Sequence, residues 1–402
     1  MLNPYRELFT APGTRGFALA GLLARIPLPM TGIGIITMLS QLRGSYALAG
    51  AVSATFVLTY ALLSPQISRL VDRHGQGRVL PMAAIISTIG MLLLLASSRW
   101  QAPDWTLFIG ALLAGFMPSM SAMVRARWTA IYRGQPRLQT AYSLETVLDE
   151  VTFIAGPPLA VGLSVAVFPQ AGPLAAALLL IIGVFALVTQ RGTEPPVEKQ
   201  DVSSDRSGAV IKQSNVRLLT LLMVAMGIIV GTVDIVSVAF AEQHGQPAAA
   251  SLILSAYAVG SCLAGLLFGA LKLRTALHHL LLLGGVATAA TTLPLLLVDS
   301  IPTLAAAVLI AGLFFAPTMI VVMSLVERLV PEHRLTEGMT WLLAGLNIGV
   351  ALGAAVSGHI VDEGGARAGF AIALCAGVLV LLVAIWGYQR LRVHTSSLPT
   401  AV

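Results

Sequence analysis

The chain has 402 residues, of which 56% are hydrophobic and only 10% charged, with a formal net charge of +6. A soluble domain carries about 25% charged residues, so the composition excludes an ordinary water-soluble protein and points to helices solvated by lipid. The basic residues fall between apolar runs instead of forming a stripe, and no nucleic-acid-binding module is visible, which sets nucleic acid aside as a partner. The two cysteines, Cys262 and Cys375, lie inside apolar runs and read as inert thiols, not a disulfide framework.

A helix of roughly 20 apolar residues spans the hydrocarbon core of a bilayer. Met1-Leu2-Asn3-Pro4-Tyr5-Arg6 precedes an apolar run that starts near Gly16 and continues to about Ser40. That run is too long for a signal peptide and lacks a small-residue cleavage site, so it reads as the first span. Twelve spans follow from the pattern: 16–40, 47–69, 78–98, 104–126, 139–166, 172–190, 217–241, 247–270, 276–298, 302–326, 335–361 and 366–389. Most connections are short. Arg191 to Val216 is the exception. It contains Thr193-Glu194-Pro195-Pro196-Val197-Glu198-Lys199 and a Ser/Asp-rich stretch, and reads as a flexible linker. The expected fold is an all-α membrane protein of twelve transmembrane helices in two pseudo-symmetric six-helix bundles, 1–190 and 217–402, joined by a cytoplasmic linker, 191–216.

Orientation follows the distribution of Arg and Lys. One side carries the N-terminus, Arg69, Arg73 and Arg78, then Arg127, Arg133 and Arg137, the linker, Lys272 and Arg274, Arg328 and Arg334, and the tail with Arg390 and Arg392. The other side carries Arg43, Arg99 and Arg367. Both termini and the linker are therefore expected in the cytoplasm.

The halves also align at a constant offset of 197 residues. Tyr60-Ala61 falls on Tyr257-Ala258, Ser64 on Ser261, Ala114-Gly115 on Ala311-Gly312, Arg137-Leu138 on Arg334-Leu335, and Gly156 on Gly353. Parallel six-span repeats are a transporter design, with substrate handled near the midplane at the repeat interface.

Here the chain resembles the major facilitator superfamily over essentially its whole length. Ser68-Arg69-Leu70-Val71-Asp72-Arg73-His74-Gly75-Gln76-Gly77-Arg78 is similar to the family's loop motif Gly-x-Leu-Ala-Asp-Arg-x-Gly-Arg-Lys. Asp72, Arg73 and Gly75 match, Ser68 replaces the first Gly, and Gln76-Gly77-Arg78 displaces the basic end. The resemblance implies a conformational latch built from Asp72, Arg73, Gly75 and Arg78. Read as residues alone, Gly75 suits a tight turn, Asp72 suits a helix N-terminus or an Arg partner, and the arginines suit a positive-inside turn. The equivalent segment Gly269-Ala270-Leu271-Lys272-Leu273-Arg274 lacks the Asp, so the latch is expected in one half only. Gly156-Pro157-Pro158 in span 5 resembles the Gly-Pro motif of the family's exporters. Gly allows close helix approach and Pro removes a backbone hydrogen bond, kinking the span. Span 4 departs from the drug-exporter pattern, since Leu107 to Met117 holds no Arg, while Arg125 and Arg127 fall at its cytoplasmic end.

Ionisable groups inside spans cost roughly 2.5–3.5 kcal/mol each on insertion scales, and face a cavity or a partner. Arg25 lies about 15 Å into span 1 at 1.5 Å per residue, beside Pro27 and Pro29, which should loosen the helix. Span 5 carries Glu145, Asp149 and Glu150, the first two on one face. Spans 1 and 5 are neighbours in the family, so Arg25 is expected to pair with Asp149 or Glu150. This pair is either a static salt bridge or a coupling device in which a carboxylate exchanges a proton. Asn347 is the neutral counterpart of Glu150 in span 11. Asp234 lies two-thirds of the way along span 7 and is expected to face the cavity, whereas Glu242 at its end is expected to be solvated. Met30, Met117, Met120, Phe240, Phe314, Phe315 and Asn347 complete the expected substrate cavity, with Met319 and Trp341 nearby. Met and Phe provide adaptable apolar surface, although helix packing explains such residues equally well.

No phosphate loop, His-Glu-x-x-His or Cys-x-x-Cys is present in the sequence, and adjacent His278-His279 point in different directions on a helix. The expectation is therefore a transporter, not an enzyme, with no cofactor or metal and with the proton gradient as energy source. Its partners are a small-molecule substrate and the lipid bilayer, and it works as a monomer in a bacterial inner (plasma) membrane. The leading reading is proton-coupled efflux of small amphipathic organic compounds, drugs or metabolites, by alternating access. The alternative is proton-coupled uptake of a small organic solute.

Overall fold

The computed structural model describes residues 4–44, 46–197, 209–246, 249–271 and 275–396. Glu198, Lys199, Lys272, Arg274, the Ser/Asp-rich part of the linker and the side chain of Glu242 lie outside the described residues. The described chain is 87% helix with no strand. Its helices are α1 Pro4–Leu8, α2 Thr14–Arg25, α3 Pro27–Arg43, α4 Tyr46–His74, α5 Gln76–Arg99, α6 Asp104–Ala114, α7 Met120–Tyr132, α8 Arg137–Ala166, α9 Ala171–Val188, α10 Ser214–Gln243, α11 Ala249–Ala270, α12 Leu277–Ala290, α13 Ile301–Leu329 and α14 Leu335–Ser396. A positive φ of 76° at Gly365 divides α14 into two spans. Among the described residues, 11 helices are long and apolar enough to cross a membrane.

The fourth expected span, 104–126, is corrected. It consists of α6 and α7 with an irregular stretch between them. Pro118 lacks an N–H and disfavours helix at the residue before it. Gly115, at the end of α6, sits so close to α4 that a Cβ there would lie 2.6 Å from Thr59 Cγ2. The first span is interrupted at Ile26, just before Pro27. The helix α8 runs through Pro157 and Pro158 as one element.

The described chain separates into two compact units: residues 1–141, 148–208 and 332–340 in the first, and 142–147, 209–331 and 341–402 in the second. In the first, α9 packs on α2, α3 and α5, α5 on α6, and α2 on α7. In the second, α13 packs on α10, α11 and α12. A glycine seam joins α10 to α14: a Cβ at Gly227, Gly231, Gly349 or Gly353 would overlap a carbonyl of the facing helix. These small-xxx-small spacings let backbones approach directly. The repeated pair Gly156 and Gly353 does the same work in each unit. A Cβ at Gly156 would lie 2.8 Å from Pro29 Cγ of α3, and one at Gly353 would strike Ile228 of α10.

Large apolar side chains such as Leu62, Met82, Leu252, Leu283 and Leu382 are exposed, as a lipid-facing surface requires.

The seam sets a prediction. Gly231→Ala should lower stability by about 1–3 kcal/mol through overpacking. Gly50→Ala, on an α4 position with no atom within 4 Å of the added carbon, should not lower it and should raise it by up to about 1 kcal/mol, because alanine is the better helix former. Thermal unfolding of the detergent-purified protein checks both, and equal effects would contradict the seam.

Candidate functional site

Asp149 of α8 is the centre of a buried polar cluster in the first unit. Arg25 Nη1 donates to its Oδ1 at 2.9 Å and Arg125 Nη2 to its Oδ2 at 2.8 Å. Ser121 Oγ donates to Oδ1 at 2.5 Å. The side chains of Arg25 and Arg125 are 3% and 0% exposed, so neither reaches water from this position. Tyr60 of α4 lies beside Ser119, which precedes α7.

Of the two expected partners of Arg25, Asp149 is placed in contact with it. Glu145, one turn before Asp149, is fully buried, and Glu150 is half-buried.

Arg125 corrects the sequence reading, which put it at the cytoplasmic end of a continuous span. The break before Met120 resets α7, so Arg125 lies about 10 Å before the end of that helix at 1.5 Å per residue. Ser121 and Arg125 are four apart and share a face. The signal that reveals them is Pro118.

Asp234 on α10 is half-buried and has no ion pair or hydrogen bond among the described residues. Thr232 and Ser237 beside it are fully buried, and their hydroxyls lack partners among the described residues.

The expected cavity residues have separate surroundings. Met30 packs in a core cluster with Ala160 and Ala176, so it is a packing residue and not a lining one. Met117 and Met120 are buried at the α6–α7 break. Phe240 stacks on His244 with centroids 4.2 Å apart. Phe315 sits 5.9 Å from the Tyr257 ring, while Phe314 is exposed and Asn347 half-buried. Within the first unit, a small concavity lies elsewhere, lined by Asp72, Gln76, Thr129, Pro195, Glu332 and His333 among others.

That concavity adjoins the loop motif. Asp72 Oδ2 accepts the backbone N–H of Glu337 at 2.8 Å and also engages Thr336. It thus caps the first turn of α14, where unpaired N–H groups and the helix dipole favour a carboxylate. Ser68, which replaces the motif's first glycine, shares a buried 2.7 Å hydrogen bond with Thr340. Arg133 Nη1 pairs with Glu332 Oε2 at 2.7 Å, and Arg69 Nε lies 4.0 Å from Glu337 Oε2. Gly75 has φ +88° and opens α5. Arg73 is half-buried, and Arg78 is exposed without an ion pair among the described residues, so Arg78 adds only positive charge to the loop.

The start of the linker is anchored, which corrects its reading as flexible up to Val197. Arg127, also read as a loop residue, is fully buried. Its Nε donates to Gln76 Oε1, and its Nη1 to Gln190 O and Thr193 Oγ1, each at 2.7 Å. Glu194 Oε1 accepts the N–H of Gly77 at 2.8 Å, capping α5 as Asp72 caps α14. A Cβ at Gly75 would lie 3.0 Å from that same Oε1. No local pattern in the sequence marks Glu194, because its partners lie 117 residues away.

Many apolar spans, an internal repeat and a buried charge cluster inside the spans define a polytopic helical membrane protein. The sequence pattern of the Major Facilitator Superfamily matches residues 17–245 and 218–401, and the chain belongs to that family. An uncharacterised MFS-type transporter, y4rN, of Sinorhizobium fredii (strain NBRC 101917 / NGR234) is 25% identical over 401 residues, 95% of each chain. A multi-drug resistance efflux pump PmrA homologue of Lactococcus lactis subsp. lactis (strain IL1403) is 23% identical, covering 91% of this chain and 89% of its own. Among solved structures, a bacterial homologue of the iron transporter ferroportin aligns with TM-score 0.74 and 16% identity, over 94% of this chain and 99% of that one. The human organic anion transporter MFSD10 aligns with TM-score 0.70 and 14% identity, over 94% of this chain and 100% of that one. These two structural likenesses establish the fold.

The two caps generate a local prediction. Asp72→Asn keeps an acceptor but removes the charge at the α14 N-terminus, at a cost of about 1 kcal/mol, or about fivefold in local opening. Hydrogen–deuterium exchange should accelerate by that factor at Thr336 and Glu337, and Glu194→Ala should do the same at Gly77. Unchanged exchange at those amides would contradict the caps.

Proposed function

We propose that the chain is a twelve-span secondary transporter that drives efflux of small amphipathic organic compounds with the proton gradient, by alternating access. It acts as a monomer in a bacterial inner membrane. Residues 1–190 and 217–402 form the two six-helix bundles, with the termini and the linker 191–216 in the cytoplasm. The observation that carries the reading is Asp149 held inside the membrane by two arginines from α2 and α7. A carboxylate in a desolvated site needs either a cation or a proton. Motion that withdraws one guanidinium leaves that place for a proton, which couples proton transfer to conformation. Asp234, with no cation beside it among the described residues, is a second place for a proton or a cationic group.

The efflux direction draws support from the named function of the Lactococcus relative and from the few amides and hydroxyls on the spans, which suit apolar substrates better than sugars. The contacts of Asp72, Ser68 and Arg133 with residues 332–340 act as the latch that holds one conformation.

The test uses purified protein in liposomes under an imposed pH gradient, with a panel of dyes, drugs and sugars. Gradient-driven movement of apolar compounds is expected, reduced at least about tenfold, or 1.4 kcal/mol in the transport barrier, by Asp149→Asn and by Arg25→Ala. Undiminished movement in both variants would make the cluster a static salt bridge. Accumulation of polar solutes alone would replace efflux with uptake.

A further inference from the structure

Three helices of the second unit converge at Gly387 of α14. A Cβ there would lie 3.0 Å from Leu281 Cδ2 of α12 and 3.1 Å from Leu218 Cδ2 of α10. One turn beyond that point, each helix ends in polar groups. The α12 end carries His278 and His279, whose rings are 4.3 Å apart. The α14 end carries Tyr388, with its ring 5.6 Å from His278 and 5.4 Å from His279. Arg390 Nη2 donates to Ser214 Oγ at the start of α10. Arg392, the last residue of its apolar span, is close enough to His278 to interact electrostatically.

His278 is unusual within this group. It is only 9% exposed, and its ring makes no hydrogen bond among the described residues. A nine-tenths buried imidazole without a partner has hydrogen-bonding capacity unused. Arg392 acts on it electrostatically, Arg390 is held at the start of α10 through Ser214, and His278 itself sits in the first turn of α12, where the helix dipole also favours an anion. The apolar surface continues into the membrane directly from this spot, through exposed Leu382, Ile385 and Trp386 in the turns before Tyr388.

We propose that this cluster is a binding site for the headgroup of an anionic phospholipid. The phosphodiester is held by Arg392, Arg390 and His278, and the acyl chains lie along α14 past Trp386. The charge is complementary, because a phosphodiester accepts charge-assisted hydrogen bonds from guanidinium and imidazole N–H groups. The depth is also right, because the site occupies the ends of spans, where headgroups lie and where Trp and Tyr concentrate. It lies on the same side as the linker, so the lipid belongs to that leaflet. A free phosphate ion shares the headgroup's chemistry but has no use for the apolar track.

Native mass spectrometry of the full chain, released from detergent micelles doped with equal phosphatidylglycerol and phosphatidylethanolamine, tests the site. Wild type should retain phosphatidylglycerol preferentially. Each basic residue near an anionic headgroup is worth about fivefold in affinity, so Arg392→Gln should cut the preference about fivefold, and the Arg390→Gln, Arg392→Gln pair about twenty-five-fold. His278→Leu should also reduce it. Arg15→Gln, an exposed basic residue of the first unit, should leave it intact, and an unchanged elution volume shows that the variants fold. Equal retention of the two lipids by wild type, or an undiminished preference in the Arg392→Gln and double variants, would overturn the proposal. So would displacement of the lipid by millimolar inorganic phosphate, which would make the site one for a free anion.

Discussion

The carboxylate of Asp149, bound at once by Arg25 and Arg125, is the constraint around which the first unit is arranged. An unpaired charge at this depth costs several kcal/mol, so three separate helices must deliver their charged groups to one point. Each helix is broken or positioned accordingly. The interruption at Ile26 ends α2 directly after Arg25, and the irregular stretch before Met120 sets the face on which Ser121 and Arg125 meet Asp149. Ser119, in the same stretch, lies beside Tyr60 of α4. The second unit has no such node at the corresponding positions. The 197-residue offset places Leu222 opposite Arg25 and Leu346 opposite Asp149. The repeat therefore preserves the packing glycines, Gly156 and Gly353, and not the charges of this node.

The same economy governs the ends of helices. Asp72 caps α14 and Glu194 caps α5, so two acidic side chains distant in sequence satisfy N-terminal amides that would otherwise be left open. Arg127 ties the linker's first turn to Gln76 in the same loop. Gly75 is needed there twice over, for its positive φ and for the space that Glu194 occupies. The substitution of Ser68 for the motif's first glycine is matched by Thr340, so this chain has a hydroxyl pair where the family's pattern has a glycine.

Much of this was legible in the residues, and the rest was not for identifiable reasons. Span periodicity located eleven of the membrane-length helices, because apolar length alone decides that property. The pairing of Arg25 with a span 5 acid followed from equal depth along two helices. The depth of Arg125 is not legible from apolar length, because the irregular stretch at Pro118 divides span 4 into α6 and α7 without interrupting its apolar run. Glu194 and Arg127 escaped because their partners are brought together only by the packed fold. Met30 read as a cavity residue because an apolar side chain carries no signal that separates lining from core. Its placement against Ala160 and Ala176 is decided by the neighbouring helices.

A double-mutant cycle on Arg125 and Asp149 tests the central claim most directly. Thermal stability would be measured for Arg125→Gln, Asp149→Asn and the double variant in the purified full chain. If the cluster is one coupled charge node, the effects are non-additive by about 1–3 kcal/mol, because Asp149→Asn takes the carboxylate away from a buried Arg125 that the double variant no longer carries. Effects that sum to within about 0.5 kcal/mol would show that Arg125 and Asp149 act independently, and the account of the first unit as organised around Asp149 would be wrong.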